Sequence, residues 1–169
     1  MFQKIDPKKL DLNAFSAFQD RWMLVTAGTP EHCNTMTAGW GGLGILWRKP
    51  TATIYVRPQR YTSEFLDESD CFTLSFFPEQ YREQLNYCGA KSGRDTDKIK
   101  DCGFTVCAGE GNAPYFGEAD LVLVCRKTMR MPMDPSAVPE EARKNFYQGP
   151  EQGYHLIYWG EITEVLQKV

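Results

Sequence analysis

NTMTAGWGGLGILWRKPTATIYVRPQRYT, residues 34–62, is the stretch of sequence that decides the fold. It begins with small and hydroxyl-bearing residues, continues through a glycine-rich apolar run and ends in a turn that carries two arginines. Within it, Ala52, Ile54 and Val56 alternate with more polar residues and share one face of an extended chain. Such alternation is typical of a strand with one buried face. The stretch therefore predicts a strand that leads directly into a polar turn.

Outward from this stretch, the sequence is rich in strand patterns. Runs of apolar and β-branched residues predict further strands at residues 21–28, 71–77, 119–127 and, broken near Gly160, twice within residues 154–169. Because six or more strands occur with only short helical segments, the pattern favours an antiparallel β-barrel or sandwich over an alternating βαβ fold. No linker or repeat divides the chain, so one domain is expected over residues 1–169.

The helical segments are few and short. They are predicted at residues 63–69, 78–87, 97–103 and 139–146. Short side chains that carry an oxygen atom accept hydrogen bonds from the free amides at a helix start. We therefore expect Thr62 or Ser63 to cap the first helix, and Asp95 or Thr96 to cap the third.

Composition excludes several classes of function. The chain of 169 residues has 19 basic and 22 acidic side chains, a net charge of −3, and no run of lysine or arginine. Nucleic acid is therefore not an expected partner. The sequence has no apolar window of about 18 residues, and its first residues lack the apolar core of a secretory signal. We expect no membrane association and a cytoplasmic location.

The usual residue sets for metal binding and catalysis are missing from the sequence. Six cysteines occur without a CxxC pair, and His32 and His155, the two histidines, lie in no metal-binding spacing. We expect reduced cysteines and no metal site. Cys88 lies beside the loop formed by residues 89–98, which is discussed below as a candidate site. Two interpretations of Cys88 stay open, a structural thiol and a reactive thiol. With no GxSxG elbow either, any enzymatic chemistry is expected to come from a cofactor.

The turn RPQRYT, residues 57–62, has the features of an anion site. Arg57 and Arg60 supply forked donors, Pro58 restricts the backbone, and Thr62 adds a hydroxyl at the start of a helix. The alternative is a solvated turn with two surface arginines. Both interpretations stay open on the hexapeptide alone.

A second candidate anion site is GAKSGRDTDK, residues 89–98. Two glycines frame Lys91 and Ser92, and Arg94 and Lys98 follow. Glycine allows close approach of a ligand to the backbone, and lysine and serine are common partners of phosphate. The spacing is not that of a P-loop, and an exposed basic loop is the alternative.

The segment NTMTAGWGG, residues 34–42, suits a flat ligand. Its small residues leave backbone amides and carbonyls accessible to the edge of a planar heterocycle. The alternative is a glycine-containing barrel strand with a bulge.

Taken in this order, the motifs resemble the flavin reductase-like, FMN-binding split-barrel family, in particular its flavoredoxin-type members. The resemblance covers residues 20–126, and HLIYWGEI, residues 155–162, is similar to a further family segment. It implies a mainly β, Greek-key split β-barrel with a few short helices. It also implies FMN as cofactor, two-electron transfer through that flavin, and a homodimer with flavin near the subunit interface.

The resemblance assigns roles to three segments and one histidine. The flavin-contacting strand is matched by Asn34, Thr35, Met36 and Thr37; the turn at the ring and phosphate by Arg57, Arg60, Tyr61 and Thr62; and the second phosphate loop by Lys91, Ser92 and either Arg94 or Lys98. His155 aligns with a C-terminal histidine that lies near the flavin in some members, and it is the candidate catalytic residue.

Three functional hypotheses follow from the sequence. The first is an NAD(P)H-dependent flavin reductase in which NADH or NADPH transfers a hydride to bound FMN. The second is an FMN electron carrier or flavin-binding sensor without nicotinamide turnover, which passes electrons to a small molecule or a protein partner. The third is a small barrel that serves as an interaction module and binds no flavin. The electron acceptor and the role of residues 127–153 are not defined by the sequence.

Overall fold

The computed structural model describes residues 1–149 and 153–169 and shows a mainly antiparallel β structure. The strands of these residues are β1 (Phe2–Ile5), β2 (Met23–Thr29), β3 (His32–Ala38), β4 (Gly41–Leu46), β5 (Lys49–Val56), β6 (Cys71–Phe76), β7 (Val106–Ala108), β8 (Pro114–Phe116), β9 (Leu121–Pro132) and β10 (Leu156–Lys168). The helices are α1 (Ala14–Ser16), α2 (Thr62–Glu68), α3 (Arg82–Ala90), α4 (Lys98–Cys102) and α5 (Glu140–Phe146).

One eight-stranded sheet forms the body of the protein. Its strand order is β3-β2-β6-β9-β10-β5-β4, with β1 paired to β10, and β7 and β8 form a separate two-stranded ribbon. Over the described residues β3 and β4, the two end strands, are not paired with each other, so the barrel stays open between them. The prediction of a mainly β split barrel with short helices is confirmed.

The alternation predicted for β5 is confirmed by burial. Ala52, Ile54 and Val56 are fully buried in the main core, while Thr53 and Tyr55 on the opposite face are only half-buried. β5 pairs with β10 on one side and with β4 on the other, so it is a central strand. The polar turn at residues 57–62 follows its last residue directly and is therefore held at a fixed position at the end of the barrel.

The predicted break of the last strand near Gly160 is wrong. β10 runs without interruption from Leu156 to Lys168, with irregular pairing to β9 next to Gly160. A Cβ atom at Gly160 would lie 2.7 Å from the Phe72 ring and 2.8 Å from the Cβ of Cys125. The glycine therefore marks a close approach between the strand and the core, and it does not end the strand.

The predicted helix caps are also wrong in position. Thr62 lies inside α2, whose N-cap is Tyr61; the Thr62 hydroxyl accepts a hydrogen bond from Asn34 instead. In α4 the cap is Asp97, whose carboxylate accepts from the amide of Lys100 at 3.1 Å. Each predicted cap lies within two residues of the observed one, because several neighbouring side chains can serve as a cap. The tertiary partners of those side chains decided which one does.

Among the residues described, no helix has both the length and the apolar character needed to cross a membrane.

We predict that Gly160→Ala destabilises the protein by about 1–3 kcal/mol, the usual cost of overpacking a core. Gly44→Ala is the matched control, because a Cβ at Gly44 in β4 meets no atom within 4 Å. Urea unfolding measures both free energies. Equal stability of the two variants would contradict the close packing of β10 on Phe72.

Candidate functional site

The predicted site segments converge on one groove at the end of the barrel. Two cavities of about 390 and 160 Å³ adjoin there and share Met36, Gln59 and Arg60. The larger cavity is lined in addition by Thr37, Ala38, Gly39, Trp40, Tyr55, Arg57 and His155, and the smaller by Tyr61, Thr62, Ala90, Lys91, Ser92, Gly93 and Lys98. Residues distant in sequence thus form a continuous surface with an aromatic end and a basic end.

The basic end carries three cationic side chains, Arg60, Lys91 and Lys98. Over the parts of the chain that the structure describes, no carboxylate lies within 4 Å of their charged nitrogens. Burial, followed by the nearby charge of Arg57, lowers the pKa of Arg60. A half-buried guanidinium without a counter-ion is costly for the isolated protein, and an anionic ligand removes that cost.

Lys98 is a structural support of this end. Its side chain is buried, and Nζ donates to the carbonyl oxygens of Cys88 at 3.0 Å and Lys91 at 3.2 Å. Burial lowers the pKa of Lys98 to about 8. Two of the three ammonium donors thus hold the end of α3 and the following loop, and one is left for the cavity.

The loop after α3 is held against β3 by a glycine contact. A Cβ atom at Gly93 would lie 2.0 Å from Oδ1 of Asn34, so only glycine fits there. The amide nitrogen of Asn34 donates to the Thr62 hydroxyl at 2.8 Å. Asn34 therefore joins β3, the loop and α2. It lines a neighbouring cleft and not the groove itself.

The two threonines of the predicted flavin-contacting strand differ in their surroundings. Thr35 is fully buried, and its Oγ1 contacts the Thr26 hydroxyl at 2.9 Å and donates to the Val25 carbonyl at 3.1 Å. The structure does not bring this side chain to the groove. Thr37 donates to the Leu85 carbonyl at 2.5 Å and lies at the wall of the larger cavity.

The turn after β5 is fixed by contacts at both of its arginines. Arg57 donates to the Phe146 carbonyl at 2.7 Å and lies over the Tyr147 ring at 5.2 Å. The Arg60 amide donates to the Arg57 carbonyl at 3.0 Å, which closes the turn. Arg94 lies over the ring of Tyr61 at 4.7 Å, so it packs against the outside of the turn.

His155 lies at the aromatic end of the groove. Its Nδ1 is 2.7 Å from the Tyr147 hydroxyl, and its ring centroid is 5.2 Å from that of Trp40 and 6.5 Å from that of Tyr55. Burial, followed by the charge of Arg57, lowers the pKa of His155 to about 4. The imidazole is therefore neutral at pH 7 and acts as a hydrogen-bonding group, not as a cation.

No individual role was assigned from the sequence to seven lining residues of the groove: Ala38, Gly39, Trp40, Tyr55, Gln59, Ala90 and Gly93. Gln59 lies between the two arginines of RPQRYT, and Tyr55 lies on the polar face of β5, so both had a sequence signal. Trp40 and Gly93 lie in segments singled out from the sequence, and tertiary contacts place them in the groove. The complete groove can hold a planar ring at its aromatic end and an anionic group at its basic end.

Comparisons with known proteins identify the family and the fold. The family model described as flavin reductase like domain matches residues 15–168. No curated protein sequence matches the chain. Among solved structures, a flavoredoxin from Methanosarcina acetivorans is 24% identical with a TM-score of 0.69, covering 95% of this chain and 74% of that chain.

Two further solved structures share the fold at lower identity. An FMN-binding protein from Thermus thermophilus, with bound p-hydroxybenzaldehyde, is 17% identical with a TM-score of 0.68, covering 95% of this chain and 79% of that one. An NADH:FAD oxidoreductase from Streptomyces globisporus C-1027 is 17% identical with a TM-score of 0.63, covering 87% of this chain and 75% of that one.

We predict that His155 makes the protein less stable in acid. The unfolded histidine takes up a proton near pH 6.5, whereas the folded one does so only near its pKa of about 4. Stability is therefore lost as the pH falls below 6.5, by about 2 kcal/mol between pH 7 and pH 5.

His155→Gln should remove this part of the acid sensitivity, as measured by urea unfolding at the two pH values. His32→Gln, at an exposed histidine outside the groove, controls for the loss of a histidine. An unchanged pH dependence in His155→Gln would show that the imidazole is not held neutral by its surroundings.

Proposed function

This chain belongs to the flavin reductase-like family, and from that membership we propose that its groove binds FMN and that the protein is an NAD(P)H-dependent flavin oxidoreductase. The observation that carries the proposal is the convergence of three cationic side chains, Arg60, Lys91 and Lys98, at one end of an aromatic groove, without carboxylate partners among the described residues. FMN combines a planar ring with a terminal phosphate. Its two ends match the two ends of the groove in charge and in shape.

The residues at the basic end fit a phosphate group. Arg60 is half-buried and has no carboxylate partner within the described residues, Ser92 offers a hydroxyl, and Lys98 keeps one ammonium donor free of the contacts that hold the loop. Lys91 is exposed at the rim and adds a further positive charge. Charge-assisted hydrogen bonds of this kind are roughly twice as strong as neutral ones.

The residues at the other end orient a flat ring and limit the access of water. Met36 and Trp40 supply apolar surface, and Tyr55 lies on the groove face of β5. His155, kept neutral by burial, offers a hydrogen bond without adding charge, and Tyr147 fixes its orientation. When bound, FMN supplies the two-electron chemistry. The protein supplies position and electrostatics.

A second candidate is an FMN electron carrier or sensor without nicotinamide turnover. The likeness to a flavoredoxin favours it, whereas the likeness to an NADH:FAD oxidoreductase favours nicotinamide use. Both candidates use the same groove. They differ in the electron donor alone.

We also propose that the protein forms a homodimer with the flavin near the subunit interface. Support comes from large apolar side chains that are exposed beside the groove, in β4 and on the turn between β4 and β5, namely Trp40, Ile45, Trp47, Met131 and Phe146. Exposed apolar patches can mark protein interfaces.

We predict that Arg60→Ala and Lys91→Ala each weaken FMN binding by about 1.5–3 kcal/mol, the range for hydrogen bonds to charged groups. Riboflavin, which lacks the phosphate, should lose much less affinity. Isothermal titration calorimetry with both ligands measures the difference.

Lys9→Ala is the matched control for these variants, because Lys9 is an exposed lysine near the N-terminus that lines neither cavity. Equal losses for FMN and riboflavin would assign these side chains to the ring end of the ligand. If the unmodified protein bound neither ligand, the interaction-module hypothesis would replace the flavin site.

We predict that NADH or NADPH bleaches the flavin absorbance of the FMN-loaded protein under anaerobic conditions, and that air restores it. His155→Asn should slow this reduction only moderately, because hydride transfer depends on alignment more than on proton donation. Stopped-flow absorbance measures the rate. Reduction by dithionite but by neither nicotinamide would establish the electron-carrier alternative.

A further inference from the structure

Two cysteines on neighbouring helices have their sulfur atoms in contact. Sγ of Cys88 in α3 and Sγ of Cys102 in α4 are 3.8 Å apart, and both thiols are free. Cys88 is fully buried, whereas Cys102 is half-buried and also faces the Gln84 carbonyl at 3.9 Å. Among the sulfur hydrogen bonds of residues 1–149 and 153–169, no other joins two cysteines.

This pair brackets the loop at the basic end of the groove. Residues 91–93, which line the smaller cavity, lie between Cys88 and Cys102 in sequence. Lys98 connects the pair to the loop directly, because its ammonium group donates both to the Cys88 carbonyl and to the Lys91 carbonyl. A change in the distance between α3 and α4 at the cysteines therefore moves the Lys98 ammonium group, which supports the loop that carries Lys91 and Ser92.

We propose that Cys88 and Cys102 form a disulfide on oxidation by hydrogen peroxide, and that this bond weakens FMN binding at the loop between them. The effect on FMN rests on the proposed function, but the formation of the disulfide does not. The sulfurs must approach from 3.8 Å to bonding distance, about 2.05 Å. That approach shifts α4 against α3 and disturbs the lysine contacts that hold the loop.

The chemistry balances with hydrogen peroxide as the oxidant. The half-buried Cys102 thiolate attacks one peroxide oxygen, the O–O bond breaks, and a sulfenic acid and water form after proton uptake. The Cys88 sulfur then attacks the Cys102 sulfur, the S–O bond breaks and a second water leaves. Two thiols and one peroxide thus give one disulfide and two waters.

The surroundings of the pair make this reaction slow at neutral pH. Burial raises the pKa of Cys102, and the Asp101 carboxylate raises it further, whereas the bond from Cys88 and the charge of Lys98 lower it. Burial raises the pKa of Cys88 to about 12. The Tyr87 hydroxyl donates to Asp101 at 2.6 Å, next to Cys102. Because the thiolate reacts, the rate should rise roughly tenfold per pH unit near neutrality.

The test treats the reduced full-length protein with hydrogen peroxide and analyses a non-reducing digest by mass spectrometry. We expect a peptide pair linked through Cys88 and Cys102, with a mass lower by two hydrogen atoms and reversed by dithiothreitol. Cys102→Ser should abolish the link. Cys107→Ser, which removes a half-buried thiol that donates to the Thr105 carbonyl, should leave it unchanged.

FMN titration of the same samples tests the consequence. The oxidised protein should bind FMN about fivefold more weakly or worse, the lower end of couplings between sites, and Cys102→Ser should keep its affinity after peroxide. Absence of the linked peptide overturns the disulfide, and a linked protein with unchanged FMN affinity overturns its effect on the loop. Failure of the reduced protein to bind FMN would instead refute the proposed function, whatever the digest shows.

Discussion

The pairing of β10 with its neighbours is the constraint on which the rest of the structure depends. β10 forms hydrogen-bonded ladders with β5, β9 and β1, and so joins the two halves of the split barrel. Its register places Leu156 opposite Val56. His155 and Arg57, the next residues along these antiparallel strands, therefore meet at the same end of the barrel. The low pKa of His155 follows from this placement, through burial and the charge of Arg57.

A second constraint is electrostatic and lies at the other end of the groove. Proteins seldom bury a lysine unless its ammonium group is paired. Lys98 is satisfied by backbone carbonyls at the end of α3 and in the following loop, so its burial stabilises a loop rather than an ion pair. Arg60 completes this region without a carboxylate among the described residues. The result is a site whose positive charge is available to a ligand.

The sequence was most informative where local pattern and packing agree. Alternation located β5 and its buried face, and the family resemblance predicted that RPQRYT and the loop near Lys91 lie close together, as they do in the smaller cavity. It was misleading where one residue type serves two purposes. Gly160 was interpreted as a strand break because glycine often ends a strand, but it allows β10 to pass close to Phe72. Thr62 was expected to cap α2, but its hydroxyl is used by Asn34.

By itself, the sequence determined the mainly β class, the family and the segments that form the groove, because these depend on periodicity and on short motifs. Only the tertiary structure decided which side chains of those segments face the groove. Thr35 is turned into the core, Lys98 is held beneath the loop, and Trp40 and Gly93 line the groove although no individual role was assigned to them from the sequence. The physical reason is that side-chain direction and pKa are set by strand register and by packing between elements distant in sequence, which no local pattern records.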